Sequence, residues 1–248
     1  GNLALNSLKS TATRSGGGDA ETDDGWYNGM MGWPAFILPF MEAQSLHDQI
    51  NFNQLPWTNE RCDMYFNEWG KDPNGGPDNQ FACENQPEGF VCPSSPRVGA
   101  SGEELQFKDY AMNSGTAFLR SNNRTTCCPE RALIANGVAW RNSNVRIGDI
   151  IDGTSNTFLF LEQSHRCDAS EAAGSGRPTN PFLWVNHQSQ GLVVGNYYPN
   201  QILTDCAGRV ARSEHPGGVQ VSLCDGSVTF VSDTVATDPW KNTFTRMD

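Results

Sequence analysis

The chain has 248 residues and sets 17 Lys and Arg against 28 Asp and Glu, a formal charge of −11 at pH 7. A domain of this length buries ~70–75% of its unfolded surface, so core size does not limit stability, and the acidic balance excludes nucleic acid or an anionic membrane bound through a cationic face. The longest apolar run, Ala35 to Met41, is interrupted by Pro39 and falls well short of the ~18–20 residues that span a bilayer.

In chain order, Leu5 and Leu8 stand one helical turn apart with Leu3 beside them, which predicts the tail of a helix over 1–10. Residues 14–25 read as a flexible acidic linker. Over 33–53, Phe36, Phe40, Ala43, His47 and Ile50 recur at helical spacing, which predicts one long helix with an apolar stripe and Pro39 in its first turn. His47 falls on that stripe as a histidine at the core edge. Residues 56–100 are rich in Pro, Gly and Cys and read as an irregular, disulfide-held insertion. A strand is expected through Phe107–Met112, and 121–146 reads as polar loop around Cys127 and Cys128, with Ala132–Trp140 weakly ordered. Asp152-Gly-Thr-Ser-Asn156 is turn chemistry, followed by a buried strand over Thr157–Leu161. Residues 168–181 read as loop, and 182–187 and 193–198 as short strands.

The strongest local signal is a hairpin over 219–232, with alternating runs on either side of Asp225-Gly226. A two-residue turn there sets Cys224 opposite Ser227, Leu223 opposite Val228 and Val221 opposite Phe230. Val219, Val221, Leu223, Val228 and Phe230 would then share one buried face. The elements together predict an α+β fold: a single domain over 1–248, one long helix near the start packed on a mainly antiparallel sheet, and large loops clipped by disulfides.

The eight cysteines are Cys62, Cys83, Cys92, Cys127, Cys128, Cys167, Cys206 and Cys224. None forms a Cys-x-x-Cys pair and no histidine stands at zinc-finger spacing from them, which argues against a thiolate zinc site. An even count scattered through polar loops reads as disulfides formed outside the cytoplasm, with the pairing left open. The sequence shows no signal-peptide pattern, so the disulfide reading implies an export segment trimmed from upstream of Gly1.

Several groups of residues invite chemistry. His215 and Asp225 could orient a base or hold a metal, but a strand over 219–224 would put them at opposite ends of ~20 Å of extended chain. Asp225 then reads as the hairpin tip and His215 as part of a turn entering the strand. Asp149, Asp152, Asn156 and Glu162 offer oxygen ligands suited to calcium, the one cofactor the sequence suggests, although their spacing departs from the EF-hand and the turn is also capped unaided. Glu162 ends an apolar strand and is expected to pair with Arg146, Arg166 or Arg212. The seven Trp, including Trp184, with Tyr197 and Tyr198 could form a carbohydrate-stacking surface, and His215 with His187 and acids a hydrolytic metal centre. No nucleophile elbow, zinc-protease, phosphate-loop or dinucleotide motif is present, so the expectation is a protein that is not an enzyme.

Four segments together resemble a known family. They are Trp33-Pro-Ala-Phe-Ile-Leu-Pro-Phe-Met-Glu-Ala-Gln-Ser-Leu, Phe90-Val-Cys-Pro-Ser-Ser-Pro96, Ile150-Ile-Asp-Gly-Thr-Ser-Asn-Thr ending at Glu162, and His215-Pro-Gly-Gly followed after nine intervening residues by Asp225 and Gly226. In these the chain resembles the DUF1559 group of prepilin-like proteins, whose carboxy-terminal motif is His215, Asp225 and Gly226 here. The resemblance implies a pilin-like or pseudopilin-like head outside the cytoplasm, at the periplasm or cell surface. It also implies anchoring in the full-length form by an amino-terminal helix missing from this sequence, with other pilin-like subunits or secretion machinery as partners. The family has also been labelled solute-binding, so a secreted carbohydrate- or solute-binding module, stabilised by calcium, stands as the alternative.

Overall fold

The computed structural model describes residues 2–4, 32–52, 79, 82, 85–95, 108–116, 118–120, 131–133, 136–139, 143–164, 184–185, 192–202 and 210–247. Its strands are β1 (Asn2–Ala4), β2 (Tyr110–Asn113), β3 (Phe118–Arg120), β4 (Arg131–Leu133), β5 (Asn144–Arg146), β6 (Phe158–Glu162), β7 (Leu192–Val193), β8 (Gly218–Leu223) and β9 (Val228–Ser232). Its α-helices are α1 (Trp33–Ile37), α2 (Gln44–His47) and α3 (Thr237–Asn242). Five strands in the order β7-β2-β6-β8-β9 make the central sheet, antiparallel except for the β2–β7 pair. Separate two-strand ladders join β1 to β5 and β3 to β4. The architecture is α+β, with short helical segments against a mixed sheet.

Alternation along the strands divides the core. Tyr110 and Met112 point to one face and Ala111 to the other, where it meets Leu161 and Val221. The first face is covered by Trp33, Leu38, Phe90 and Trp184, and the second by Trp240 and Phe244 at α3. In β6 the register shifts between Phe158 and Phe160, so Phe158 and Leu161 both reach the α3 face. The Ser222 hydroxyl accepts the Phe160 N–H at 3.2 Å within this bulge. The same shift sends Phe160 and Glu162 to the face of Tyr110 and Met112, which determines what Glu162 can touch.

Four expectations need correction. The long helix over 33–53 is broken into α1, a 3-10 turn over Leu38–Met41, and α2. Pro39 cannot donate inside a continuing α-helix, and Glu42 takes a left-handed conformation (φ 59°) with its N–H on Leu38 O. The stripe is broken with it: Phe40 is 87% exposed, while Trp33, Leu38 and Ile50 enter the core. His47 is half-buried, its ring 5.1 Å from that of Phe52. At the start of the chain, Asn2–Ala4 is a strand rather than the tail of a helix.

The hairpin forms as expected but one residue out of register. Leu223 N–H bonds Ser227 O, so Cys224, Asp225 and Gly226 form a three-residue loop with Gly226 at φ +88°. Val221 therefore faces Thr229 and Gln220 faces Phe230. Val219 and Val221 are buried on the α3 face, while Val228 and Phe230 lie on the opposite, exposed face. Finally, Cys92 and Cys224 carry free thiols rather than disulfides. Cys62, Cys83, Cys127, Cys128, Cys167 and Cys206 lie outside the described residues, as do the 14–25 linker, the 168–181 loop, Arg166, His187 and most of the 56–100 insertion.

Candidate functional site

Two turns close over the carboxyl end of β6. The first follows a 3-10 turn at Glu88–Phe90 and is closed by Ser95 N–H on Cys92 O at 2.9 Å. Asp109, buried just ahead of β2, holds it: Oδ2 accepts Cys92 N–H at 2.9 Å and Oδ1 accepts the Ser95 hydroxyl at 3.2 Å. The second turn carries the chain into β8. Ser213 Oγ accepts His215 N–H at 3.1 Å and donates to Gly218 O at 2.7 Å. Backbone bonds from Gln163 N–H to Asp109 O and from Arg212 N–H to Glu162 O, at 2.7 and 2.9 Å, join the strand end to both sides.

Cys92, Glu162 and His215 meet in the space between. Glu162 Oε1 lies 3.0 Å from His215 Nε2 and 3.5 Å from Cys92 Sγ, and Sγ lies 3.8 Å from Nε2. The other carboxylate oxygen, Oε2, accepts Gln220 N–H at 2.7 Å. Among the described residues this is the one cluster of three or more His, Cys, Asp or Glu whose donor atoms all lie within 4.8 Å of one another. The Glu162 side chain is 4% exposed and that of His215 29%, so the imidazole forms the solvent side.

Burial pushes the Cys92 thiol up, a backbone hydrogen bond from Ser94 partly opposes this, and the charges of Glu162 and Asp109 add to the rise. Burial, with the same acids and Cys92 nearby, pushes Tyr110 up to about 12. A cavity of about 10 Å³ opens here between Cys92, Ser95, Glu162, Ser164, Arg212 and Glu214. That is room for about one water or an ion.

Other residues singled out from sequence are placed apart. Asp149 Oδ2 accepts Arg146 N–H at 2.8 Å in a capped 3-10 turn. Asp152 Oδ2 accepts the Thr245 hydroxyl at 2.9 Å, and Asn156 donates to Asp152 O at 3.0 Å. Those three belong to the turn before β6, while Glu162 ends that strand, so the four calcium candidates are not brought to one point. Glu162 pairs with His215 and not, among the described residues, with an arginine. Arg212 Nη2 donates to Gln201 O, and Arg146 belongs to the Asp149 cap.

His215 and Asp225 lie at opposite ends of β8. Asp225 Oδ1 accepts the N–H and hydroxyl of Ser227 at 2.9 and 2.6 Å, which holds its carboxyl below the usual carboxylate range. Trp184 is fully buried and stacks on Phe90, and Trp33 and Trp240 also lie in the core. Tyr198 bonds the Thr237 hydroxyl, and Tyr197 O accepts Trp240 Nε1–H. Trp184 and Tyr198 are committed to packing rather than to a stacking surface, and the Tyr197 contact is made by its backbone.

Reading for disulfides missed Cys92 as a member of the site. Its signal was its place in Phe90-Val-Cys-Pro-Ser-Ser-Pro96. The three cluster residues come from three of the four segments that carry the family resemblance, each weak by itself. The family model described as a protein of unknown function (DUF1559) matches residues 4–238. Neither the curated proteins nor the solved structures yield a match.

Proposed function

We propose, for a chain that belongs to the DUF1559 family, the role of a non-catalytic, pilin-like head outside the cytoplasm, working as a structural subunit with other pilin-like subunits or with secretion machinery. The match over residues 4–238 carries this reading, because it spans nearly the whole chain rather than a single motif. Among the described residues no helix is long and apolar enough to cross a membrane. Membrane attachment in this reading is therefore left to an amino-terminal helix of the kind the family resemblance implies.

The sheet supplies a surface that fits the role. Strand β9 is an edge among the described residues, and it presents Val228 at 68% and Phe230 at 45% exposure. Apolar side chains beside an unpaired strand edge favour contact with another chain. A catalytic use of Cys92 is disfavoured: burial and the charges of Glu162 and Asp109 push its thiol up, away from the nucleophilic thiolate. The pocket is also smaller than an organic substrate requires.

The test places a photo-crosslinking residue at Phe230 in the full-length protein in its own cells. The expected result is a ladder of adducts with like subunits or secretion components, on protein that external protease reaches in spheroplasts. Monomeric protein sheltered inside the spheroplast would overturn the reading.

A further inference from the structure

The geometry points to a binding site for one zinc-class transition ion at the end of β6, held by the Cys92 thiolate, Glu162 Oε1 and His215 Nε2. Zinc bonds of about 2.3 Å to sulfur, about 2.05 Å to nitrogen and about 2.0 Å to oxygen, arranged tetrahedrally, set the donors about 3.5 Å (S to O), about 3.6 Å (S to N) and about 3.3 Å (N to O) apart. The corresponding distances here are 3.5, 3.8 and 3.0 Å. Each lies within about 0.3 Å of the requirement, so small side-chain adjustments admit the ion.

The donor set selects the class of metal. A thiolate and an imidazole favour zinc and its neighbours over calcium and magnesium, which take oxygen. The backbone of two ligands and the carboxylate of the third are also held in place. Asp109 accepts Cys92 N–H, Gln220 N–H binds the second oxygen of Glu162, and Ser213 accepts His215 N–H. Glu162 thus has an outer partner of the kind that orients a ligand before metal arrives, and the turns that carry Cys92 and His215 are fixed by their backbone. The fourth position would open toward the small pocket lined by Cys92, Glu162 and Ser213, where a water can complete a tetrahedron.

The proton balance is simple. Without metal the thiol donates to Glu162 Oε1, and the tautomer with its hydrogen on Nε2 is the one that suits the same carboxylate oxygen 3.0 Å away. On binding, the thiol proton passes to solvent and the neutral imidazole carries its hydrogen on Nδ1, which frees the Nε2 lone pair; no electron transfer is involved. The ion clamps together two turns and a strand end whose ligands are 70 and 53 residues apart in sequence. The site stands independently of the pilin-like reading, since it needs only the chain itself.

The full chain, reduced and stripped with chelator, is titrated with zinc chloride and separately with cobalt(II) chloride. The expected result is one tightly held zinc, a higher melting temperature, and a sulfur-to-cobalt charge-transfer band. Cys92→Ser should abolish the band. His215→Ala and Glu162→Gln should weaken zinc binding by more than the ~10–100-fold typical of losing an outer partner. Circular dichroism checks the fold of each variant, and His215→Ala, at a part-exposed side chain, carries the test if Cys92→Ser does not fold. Failure to retain zinc, or zinc affinity unchanged in His215→Ala, would overturn the proposal.

Discussion

Glu162 ends an apolar strand with only 3% of its surface exposed, and each of its oxygens is engaged there, Oε1 by His215 and Cys92 and Oε2 by Gln220 N–H. Removing the carboxylate leaves that backbone donor without a partner in a buried setting. Glu162→Ala should therefore lower unfolding free energy by about 1–3 kcal/mol in urea titrations. Lys108 offers a second residue-level test, because full burial pushes its ammonium down to about 7 from 10.5. Between those values the unfolded chain binds more protons than the native one, so this group's contribution makes stability rise with pH across the window. Below about 7 both states are protonated and the penalty of burying the charge is complete. Urea midpoints taken at about pH 7.5 and about pH 9.5 should show a larger rise in the wild type than in Lys108→Met.

The short elements show where local pattern was informative and where it failed. Alternation located the β8–β9 hairpin, and the turn chemistry of Asp152–Asn156 located β6 as the buried strand behind it, whereas β2 and β6 are covered on both faces and show no exposed side. Alternation misjudged the hairpin register because Asp225-Gly226 serves a two-residue and a three-residue turn equally well in sequence. The choice is visible only in the bond from Leu223 N–H to Ser227 O. Gly226 holds φ +88° in that loop, so Gly226→Ala should reduce stability by about 1 kcal/mol, read as a lower melting temperature. Helical spacing over 33–53 misled for a different reason. Apolar residues recur at the right interval, yet Pro39 and the left-handed Glu42 divide the segment, and Phe40 turns outward. Helix α3 lacked an extended periodic run, and its Trp240 becomes legible only once it packs on Phe158 at the face of the sheet that α3 covers.

At the scale of the whole molecule, the α+β class and the family were legible because both depend on patterns spread along the chain. The site was legible only in pieces. Cys92, Glu162 and His215 each sat in a recognised segment, but the spacings of 70 and 53 residues match no local metal motif. The sheet does the assembling: β6 delivers Glu162, β8 brings His215 alongside, and Asp109 before β2 pins the Cys92 turn. Asp225, the other end of the carboxy-terminal motif, instead closes the distant hairpin. The motif thus joins a turn-forming residue to a site residue through one strand.

The central claim is that three segments distant in sequence build one metal-ready cluster at the end of β6. X-ray absorption at the zinc edge of the loaded full chain tests it most directly. The account predicts one sulfur at about 2.3 Å and nitrogen or oxygen neighbours at about 2.0–2.1 Å, with the sulfur shell lost in Cys92→Ser. A shell of oxygen alone, or a sulfur shell that persists in Cys92→Ser, would contradict it.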